Sequence, residues 1–252
     1  MAPPPQPLPD DLIPGILLRL PPDDPAGIVR ASAVCKAWRG VLADPAFSAR
    51  YRALHPAAPV LGFLHRPSGL QLARFIPTTS FRPYPAAEHP MRHPHDCRHG
   101  RALFCDYDSR GSTAGFVVWD PVTGDEHVFR GTIDSWTQQA VLCAEGVGCD
   151  HRGCSGGPFI VAPVAMELDD DEQEGPSSIA QACFYSSDTG KWSMHLYTDV
   201  GGTCDLEDRP AALVGDSLYF VGKSGILLRY RYDMLRRLCR DKAASIRDSD
   251  FF

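Results

Sequence analysis

Residues 8–47 read LPDDLIPGILLRLPPDDPAGIVRASAVCKAWRGVLADPAF, and the spacing of their apolar side chains decides the fold of the N-terminal part of the chain. In the first run, apolar residues recur every three or four positions, which is typical of an amphipathic helix: Leu12, Ile13, Ile16, Leu17 and Leu20. Asp10 or Asp11 is placed to cap this helix, and Pro21-Pro22 is placed to stop it. We therefore predict one short helix with a single apolar stripe.

Two more helices are predicted downstream. Asp24-Pro25 is placed to start the second helix, whose apolar residues again recur at helical spacing: Ile28, Ala31, Val34, Cys35, Trp38, Val41 and Leu42. A third helix with Phe47, Tyr51 and Leu54 follows the break at Asp44-Pro45. Three short helices in roughly fifty residues can bury only a thin core. We therefore expect part of their apolar surface to await a partner.

Four blocks in this region resemble an F-box, the helical module by which substrate adaptors dock onto a cullin-based ubiquitin ligase. The blocks are Leu8-Pro9-Asp10-Asp11-Leu12, the six residues 16–21, the six residues 34–39, and Asp44-Pro45 followed by Phe47. The resemblance implies binding to the Skp-type subunit of a cullin–RING ligase. The residues expected to make that contact are Leu8, Pro9, Leu12, Ile16, Leu17, Leu20 and Pro21, supported by Val34, Cys35 and Trp38.

One feature departs from the family pattern. F-boxes commonly have a polar residue and a glutamate inside the first helix, where this chain has Pro14-Gly15. Proline is tolerated only in the first turn of a helix, and glycine costs about 1 kcal/mol relative to alanine in a helix interior. We therefore expect weaker docking than usual. The alternative is a small helical bundle whose apolar stripes only close its own core.

Beyond Pro56 the pattern changes to short apolar runs separated by glycine and proline, which is typical of strands and turns. Residues 60–64 and 70–76 flank the turn 66–69 and predict a hairpin. Three later segments then repeat an arrangement of strand, strand and turn, beginning near Gly100, Pro158 and Gly215. A period of about 40 to 50 residues is typical of a β-propeller blade. A β-sandwich is the alternative for this region.

The same region resembles the propeller that follows the F-box in a large group of plant F-box proteins. Residues 96–103 and 119–124 carry this resemblance. From Val60 onward the chain has room for roughly four blades, so we predict an incomplete ring. The tail from Met234 either covers the open sheet edge or is an arbitrary end made by truncation or altered splicing.

The predicted fold is therefore α+β and multidomain, with a three-helix F-box followed by an all-β, incomplete propeller-like domain. The predicted parts are a disordered leader, the F-box, a substrate-binding β region and a polar, basic tail: residues 1–7, 8–55, 56–232 and 233–252.

The composition of the chain indicates which kinds of partner and which cellular compartment to expect. The formal net charge is −6, which argues against a broad positive field for nucleic acid or an anionic membrane. No segment has the roughly 20 consecutive apolar residues that a membrane-crossing helix needs. The nine cysteines and an N-terminus unlike a signal peptide favour reduced thiols in the cytosol or nucleus. We therefore expect a cytoplasmic or nuclear protein with no nucleic-acid or membrane partner.

Two patterns suggest chemistry and are weighed against simpler readings. Residues 153–157 fit G-x-S-x-G, the motif in which serine hydrolases hold their nucleophilic serine. That motif needs a helix after Ser155, and a strand is predicted there. Four residues offer three sulfurs and one nitrogen for zinc: Cys143, Cys149, His151 and Cys154. Zinc sites normally use cysteine pairs two to four residues apart, so we expect ordinary loop cysteines instead. No catalytic residue, cofactor or metal is expected.

The resulting hypothesis is a non-enzymatic substrate adaptor of a Skp-cullin-F-box (SCF) ubiquitin ligase. The F-box would dock the Skp-type subunit, and the β region would hold an unknown protein target for ubiquitin-dependent degradation. Two interfaces on one chain raise the concentration of target near the transfer machinery. Two alternatives remain: a competitor that binds the Skp-type subunit but holds no substrate, and a serine hydrolase that uses Ser155.

Overall fold

The computed structural model of the chain forms two compact units. The first comprises Met1–His65 and Arg74–Ala87, and the second comprises Arg66–Ala73 and Glu88–Phe252. The structure describes the following residues: 9–57, 59–65, 72–83, 89–90, 92–107, 113–131, 138–145, 149, 151, 154, 156–171, 175–200, 202–223 and 225–231. The predicted leader 1–7, Leu8, Ser155 and the tail 233–252 lie outside these residues.

The first unit begins with a 3-10 turn and four helices. These are the turn Asp10–Leu12, α1 Ile13–Leu17, α2 Pro25–Val34, α3 Lys36–Ala43 and α4 Pro45–Leu54. The prediction of three helices is wrong, because Cys35 is extended (φ −161°, ψ 172°) and divides the second run into α2 and α3. Apolar periodicity continues across a one-residue break, so spacing alone does not reveal it.

Helix α2 starts as the sequence predicts. The Asp24 carboxylate accepts a hydrogen bond from the backbone N–H of Gly27 at 3.0 Å, and Pro25 occupies the first turn. This arrangement pairs a capping carboxylate with a residue that has no N–H to satisfy. Asp44 caps α4 in the same way through the N–H of Ala46 at 2.8 Å. The Asp-Pro pairs therefore set two of the four helix starts.

The first helix differs from its prediction. The residue before the 3-10 turn is Pro9, and Asp10 and Asp11 lie within the first turn, so they do not cap the helix. Pro14 lacks an N–H and falls in the first turn of α1, which explains why a short 3-10 turn precedes a separate α-helix. Helix α1 ends at Leu17, before the proline pair that was expected to stop it.

A small apolar core closes the helices. Its buried residues are Ile13, Leu17, Ala31 and Phe47. Six partly buried side chains pack around them: Leu18, Leu20, Trp38, Val41, Leu42 and Tyr51. A hydrogen bond connects α4 to the residues that follow α1: the Tyr51 hydroxyl donates to the Leu20 carbonyl at 2.8 Å. None of the described helices is long and apolar enough to span a bilayer.

The predicted antiparallel pairing of the two strands is confirmed, whereas the predicted turn 66–69 lies outside the described residues. Strand β1 Gly62–His65 pairs antiparallel with the later part of β2 Leu72–Pro77, with Gly62 opposite Pro77. The first residues of β2 belong to the second unit and pair with β3 His89–Pro90.

The second unit continues with a four-stranded antiparallel meander. Its strands are β4 Arg92–Arg98, β5 Arg101–Tyr107, β6 Thr113–Trp119 and β7 Glu126–Phe129. The predicted turn between β6 and β7 is held by Asp120, whose carboxylate accepts from the N–H of Val122 at 2.8 Å. Gly124 completes this turn at φ 82°, a backbone conformation that favours glycine.

The next sheet has six strands. They are β8 Gln138–Cys143, β9 Phe159–Asp171, β10 Gly175–Ala182, β11 Tyr185–Ser186, β12 Lys191–Trp192 and β13 Leu196–Asp199. The long strand β9 pairs with β8 on one side and with both β10 and β11 on the other. A third antiparallel sheet follows with β14 Ala212–Val214, β15 Ser217–Val221 and β16 Leu227–Arg231.

Two apolar clusters join these sheets in chain order. The first packs β5 and β6 against β8, β9 and β11, and it includes Phe116 and Tyr185. The second packs β8, β9 and β10 against β15 and β16, and it includes Leu142 and Tyr230. The middle sheet is therefore covered on both faces, which explains why every residue of β8 is buried. A β-rich region of consecutive antiparallel sheets after the helices agrees with the prediction; closure into a propeller remains a prediction.

Candidate functional site

The helical unit exposes several apolar side chains although its core is closed. Leu12 is 51% exposed, Ile16 is 39% exposed and Val34 is 61% exposed. Large apolar residues of this kind lower the free energy when a partner removes them from water. They are the candidate contact surface of the unit.

The sequence of the first helical run separates these side chains from the core. Ile13 and Leu17 are spaced by four residues and are buried, whereas Leu12 and Ile16 are also spaced by four and are exposed. Residues four apart lie on the same face of a helix, so the run has two apolar faces instead of one stripe. One face closes the core, and the other remains accessible.

The ten residues predicted to contact a partner divide into four groups. Those exposed are Pro9, Leu12, Ile16, Pro21, Val34 and Cys35. Leu20 and Trp38 are partly buried against the core, and Leu8 lies outside the described residues. Leu17 was predicted to contact the partner, but it has no exposed surface and belongs to the core of the helices instead. The packing of Ile13 and Leu17 against Ala31 and Phe47 is the physical reason.

Two exposed apolar residues of the helices were not among those predicted to contact a partner: Val29 on α2, and Leu54 on α4, which is 57% exposed. Val29 on α2 is 60% exposed, and it falls outside the buried face of that helix. Its neighbour Ala31 is the buried residue of α2. In the sequence, Val29 does not belong to the apolar residues that recur at helical spacing, so nothing distinguished it from an ordinary surface residue.

Charged groups are exposed on the same elements as these apolar side chains. Asp10 and Asp11 are exposed in the 3-10 turn. At the start of α2, Arg30 pairs with Asp24 at 3.0 Å, and this pair is largely open to water. Exposed pairs contribute little to stability, so we expect these charges to influence which partner approaches more than they influence the fold.

In the second unit the structure brings together the four candidate zinc ligands, for which the sequence spacing had predicted ordinary loop cysteines. The ligand atoms of Cys143, Cys149, His151 and Cys154 all lie within 4.8 Å of one another. Burial and the neighbouring thiols of Cys143 and Cys149 raise the pKa of the Cys154 thiol to about 12. Spacing did not reveal this convergence, because the chain turns back on itself between β8 and β9.

Ser155 and the histidines near β4 do not form a comparable group in the part of the chain that the structure describes. Ser155 lies outside the described residues. His93 and His95 lie on β4, and the ring of His99 lies 4.1 Å from the ring of His151, measured between centroids. In the part of the chain that the structure describes, the cysteine and histidine group above is the only cluster of three or more metal-ligating side chains.

Comparison with protein families gives a match to the N-terminal part of the chain. Residues 6–52 match a family model described as F-box-like. A search of curated proteins found no match to the chain. The matched segment covers the 3-10 turn, α1, α2, α3 and most of α4, and it supports a role in SCF-type ubiquitin ligase complexes.

Proposed function

From the F-box-like domain at residues 6–52, we propose that this chain is the substrate-recognition adaptor of an SCF ubiquitin ligase. The helical unit docks the Skp-type subunit, and the β region holds a protein target for ubiquitin-dependent degradation. The observation that carries the proposal is the exposure of Leu12, Ile16 and Val34 on a unit whose core is already closed by other residues.

The exposed side chains can supply part of the free energy of a specific contact. Complete burial of one leucine or isoleucine side chain stabilises a contact by about 1.5–3 kcal/mol. Leu12, Ile16 and Val34 are half-exposed, and together they offer a few kcal/mol to a partner that covers them. The docking contacts that we propose are these three residues with Pro9, Pro21 and Cys35, while Leu20 and Trp38 support them from the edge of the core.

The β region supplies the second interface. Its sheets pack through shared apolar clusters, so the loops between strands are held on a rigid framework. We propose that the region is a plant-type propeller and that its loops bind the target. Function then follows from proximity, because one chain that holds both the ligase and the target raises their effective concentration. The proposal requires no covalent chemistry from this chain and places it in the cytosol or nucleus.

The proposal is tested with charged substitutions on the exposed face. We expect Ile16→Asp to weaken binding of the full chain to a Skp-type subunit at least tenfold, or about 1.4 kcal/mol, because a carboxylate would be buried against an apolar partner. Isothermal titration calorimetry of the purified chain measures this.

Val214→Asp is the matched control, because Val214 is 63% exposed on a strand of the second unit. It should bind the Skp-type subunit as the unmodified chain does. If the unmodified chain binds no Skp-type subunit, or if both substitutions weaken binding equally, the exposed helical face is not the docking surface.

A further inference from the structure

The loop between strands β8 and β9 gathers four metal-ligating side chains at one point. Cys143 ends β8, and Cys154 lies shortly before the start of β9. Cys149 and His151 lie in the intervening loop. Their three sulfurs and one ring nitrogen are all within 4.8 Å of one another, with Cys143 and Cys154 buried.

Two of the six distances between the ligand atoms are close to those of a tetrahedral zinc site. A Zn–S bond of about 2.3 Å places two sulfurs of a tetrahedron about 3.8 Å apart, and a sulfur and a nitrogen about 3.6 Å apart. The Sγ atoms of Cys143 and Cys149 are 3.9 Å apart. The Sγ of Cys154 and the Nδ1 of His151 are 3.8 Å apart. The remaining four pairs of ligand atoms need to approach by at most about 1.2 Å.

The surrounding sheet fixes the two ends of this loop. Cys143 is paired with Phe159 across the strands, and the N–H of Ala144 donates to the Pro158 carbonyl at 3.0 Å. The backbone N–H of Glu145 also donates to the Cys143 Sγ at 3.4 Å. The first ligand is therefore held by backbone contacts.

Arg101 holds the last ligand from the neighbouring sheet. Its guanidinium is buried, donates to the Cys154 carbonyl at 3.0 Å, and also donates to the Gly157 carbonyl. The same guanidinium lies 5.4 Å from the centre of the Phe159 ring. Because Arg101 lies on β5, it fixes the position of Cys154 independently of the loop that precedes it.

His151 adopts an uncommon backbone conformation in this loop. Its φ is +55°, in the left-handed region that few residues other than glycine occupy. Such positions cluster at ligand sites, where the surroundings must stabilise them. In this conformation the Nδ1 of His151 faces the Cys154 sulfur, and its ring lies against the ring of His99.

We propose that Cys143, Cys149, His151 through Nδ1, and Cys154 bind one Zn²⁺ ion. Three thiolates and an imidazole suit zinc, whereas Mg²⁺ and Ca²⁺ require oxygen ligands. Four protein ligands leave no open coordination position, so the site is structural and has no catalytic role. Binding converts the thiols to thiolates and releases their protons to solvent. The ion closes the β8–β9 loop onto the sheet edge.

A disulfide between Cys143 and Cys149 is the competing use of these sulfurs. Their separation of 3.9 Å is far longer than the roughly 2.05 Å of a disulfide bond. A disulfide would also leave Cys154 and His151 close to it without a shared partner. The zinc site uses all four side chains at once.

The test measures zinc in the full chain, purified under reducing conditions without added metal. We expect about one zinc ion per chain by inductively coupled plasma mass spectrometry. Cys149→Ser and His151→Ala should each lower the zinc content at least fivefold, because three ligands hold zinc more weakly than four. Cys149→His should retain most of the zinc, because it restores a fourth ligand.

Two substitutions outside the cluster serve as controls. Cys97 is exposed on β4 and His65 is exposed on β1, so Cys97→Ser and His65→Ala should leave the zinc content unchanged. Replacement of the zinc by Co²⁺ should give the visible absorption of a tetrahedral, thiolate-ligated ion, and Cys149→Ser should change that spectrum. The proposal is overturned if the unmodified chain carries almost no zinc, if Cys149→Ser retains it fully, or if mass spectrometry finds a Cys143–Cys149 disulfide.

Discussion

His195 lies between β12 and β13, where its Nδ1 is 2.6 Å from the Nε2 of Gln181. The same Gln181 nitrogen donates to the Tyr197 hydroxyl at 2.9 Å. Burial lowers the pKa of His195 below its ordinary value of 6.5. Nδ1 can accept a hydrogen bond from the amide only when it carries no proton. In the charged ring both nitrogens are protonated, so this hydrogen bond requires the neutral ring.

This site makes the stability of the second unit depend on pH. Because the folded-state pKa of His195 is lower than the unfolded-state value, the unfolded chain binds more protons below pH 6.5. Stability is therefore lost as the pH falls below about 6.5. We expect His195→Gln to reduce that loss, measured by urea unfolding at several pH values between about 7 and 5.

His65→Gln is the control, because His65 is an exposed histidine on β1. Its unfolding curves should follow those of the unmodified chain at each pH. Equal acid sensitivity of His195→Gln and the unmodified chain would show that another group causes the loss.

At the scale of single elements, the first helical run contributes to the core and also carries exposed residues that we propose for docking. Ile16 and Leu17 are neighbours in the sequence, yet Leu17 is fully buried and Ile16 is 39% exposed. Large-to-small changes in a core remove packing and leave a cavity, whereas the same change on the surface removes little. The two residues therefore separate the two roles experimentally.

We expect Leu17→Ala to lower the free energy of unfolding of the helical unit by about 2–5 kcal/mol. Ile16→Ala should lower it by less than about 1 kcal/mol while weakening the binding of a Skp-type subunit. Urea unfolding and calorimetric binding of the same two variants give the comparison. The opposite pattern, with Ile16→Ala the more destabilising, would mean that Ile16 belongs to the core.

The elements also show where sequence patterns are sufficient. The Asp24-Pro25 and Asp44-Pro45 starts follow from local chemistry, because a cap and a missing N–H act within one turn. The division of the second run at Cys35 and the burial of Leu17 depend on tertiary packing, which spacing does not encode. The convergence of Cys149 and His151 with Cys143 likewise depends on how the β8–β9 loop turns back, so motif spacing gave no sign of it.

At the scale of the whole second unit, one ion pair connects three sheets. Asp96 on β4 is buried and accepts from the Arg98 Nε at 2.7 Å. The same carboxylate accepts from the backbone N–H of Val141 on β8 at 2.9 Å. Arg98 also donates to the carbonyl of Ala211, just before β14. Removal of the carboxylate would leave a half-buried guanidinium without its charge partner.

We expect Asp96→Ala to lower the free energy of unfolding of the second unit by about 3–5 kcal/mol, the cost of breaking a buried ion pair from one side. Asp205→Ala is the control, because the Asp205–Lys223 pair is exposed to water and should contribute little to stability. Urea unfolding followed by tryptophan fluorescence measures both, with the buried Trp119 as a probe. Similar losses for the two variants would contradict a special role for Asp96.

The link between Arg98 and Ala211 spans 113 residues of the sequence. A ribosome delivers the arginine long before it delivers the carbonyl that completes its hydrogen bonding. During synthesis the early strands therefore lack this contact. The second unit can reach its final arrangement only after residue 211 has left the exit tunnel. We expect the nascent chain to depend on chaperones through that interval, because exposed strand edges aggregate readily.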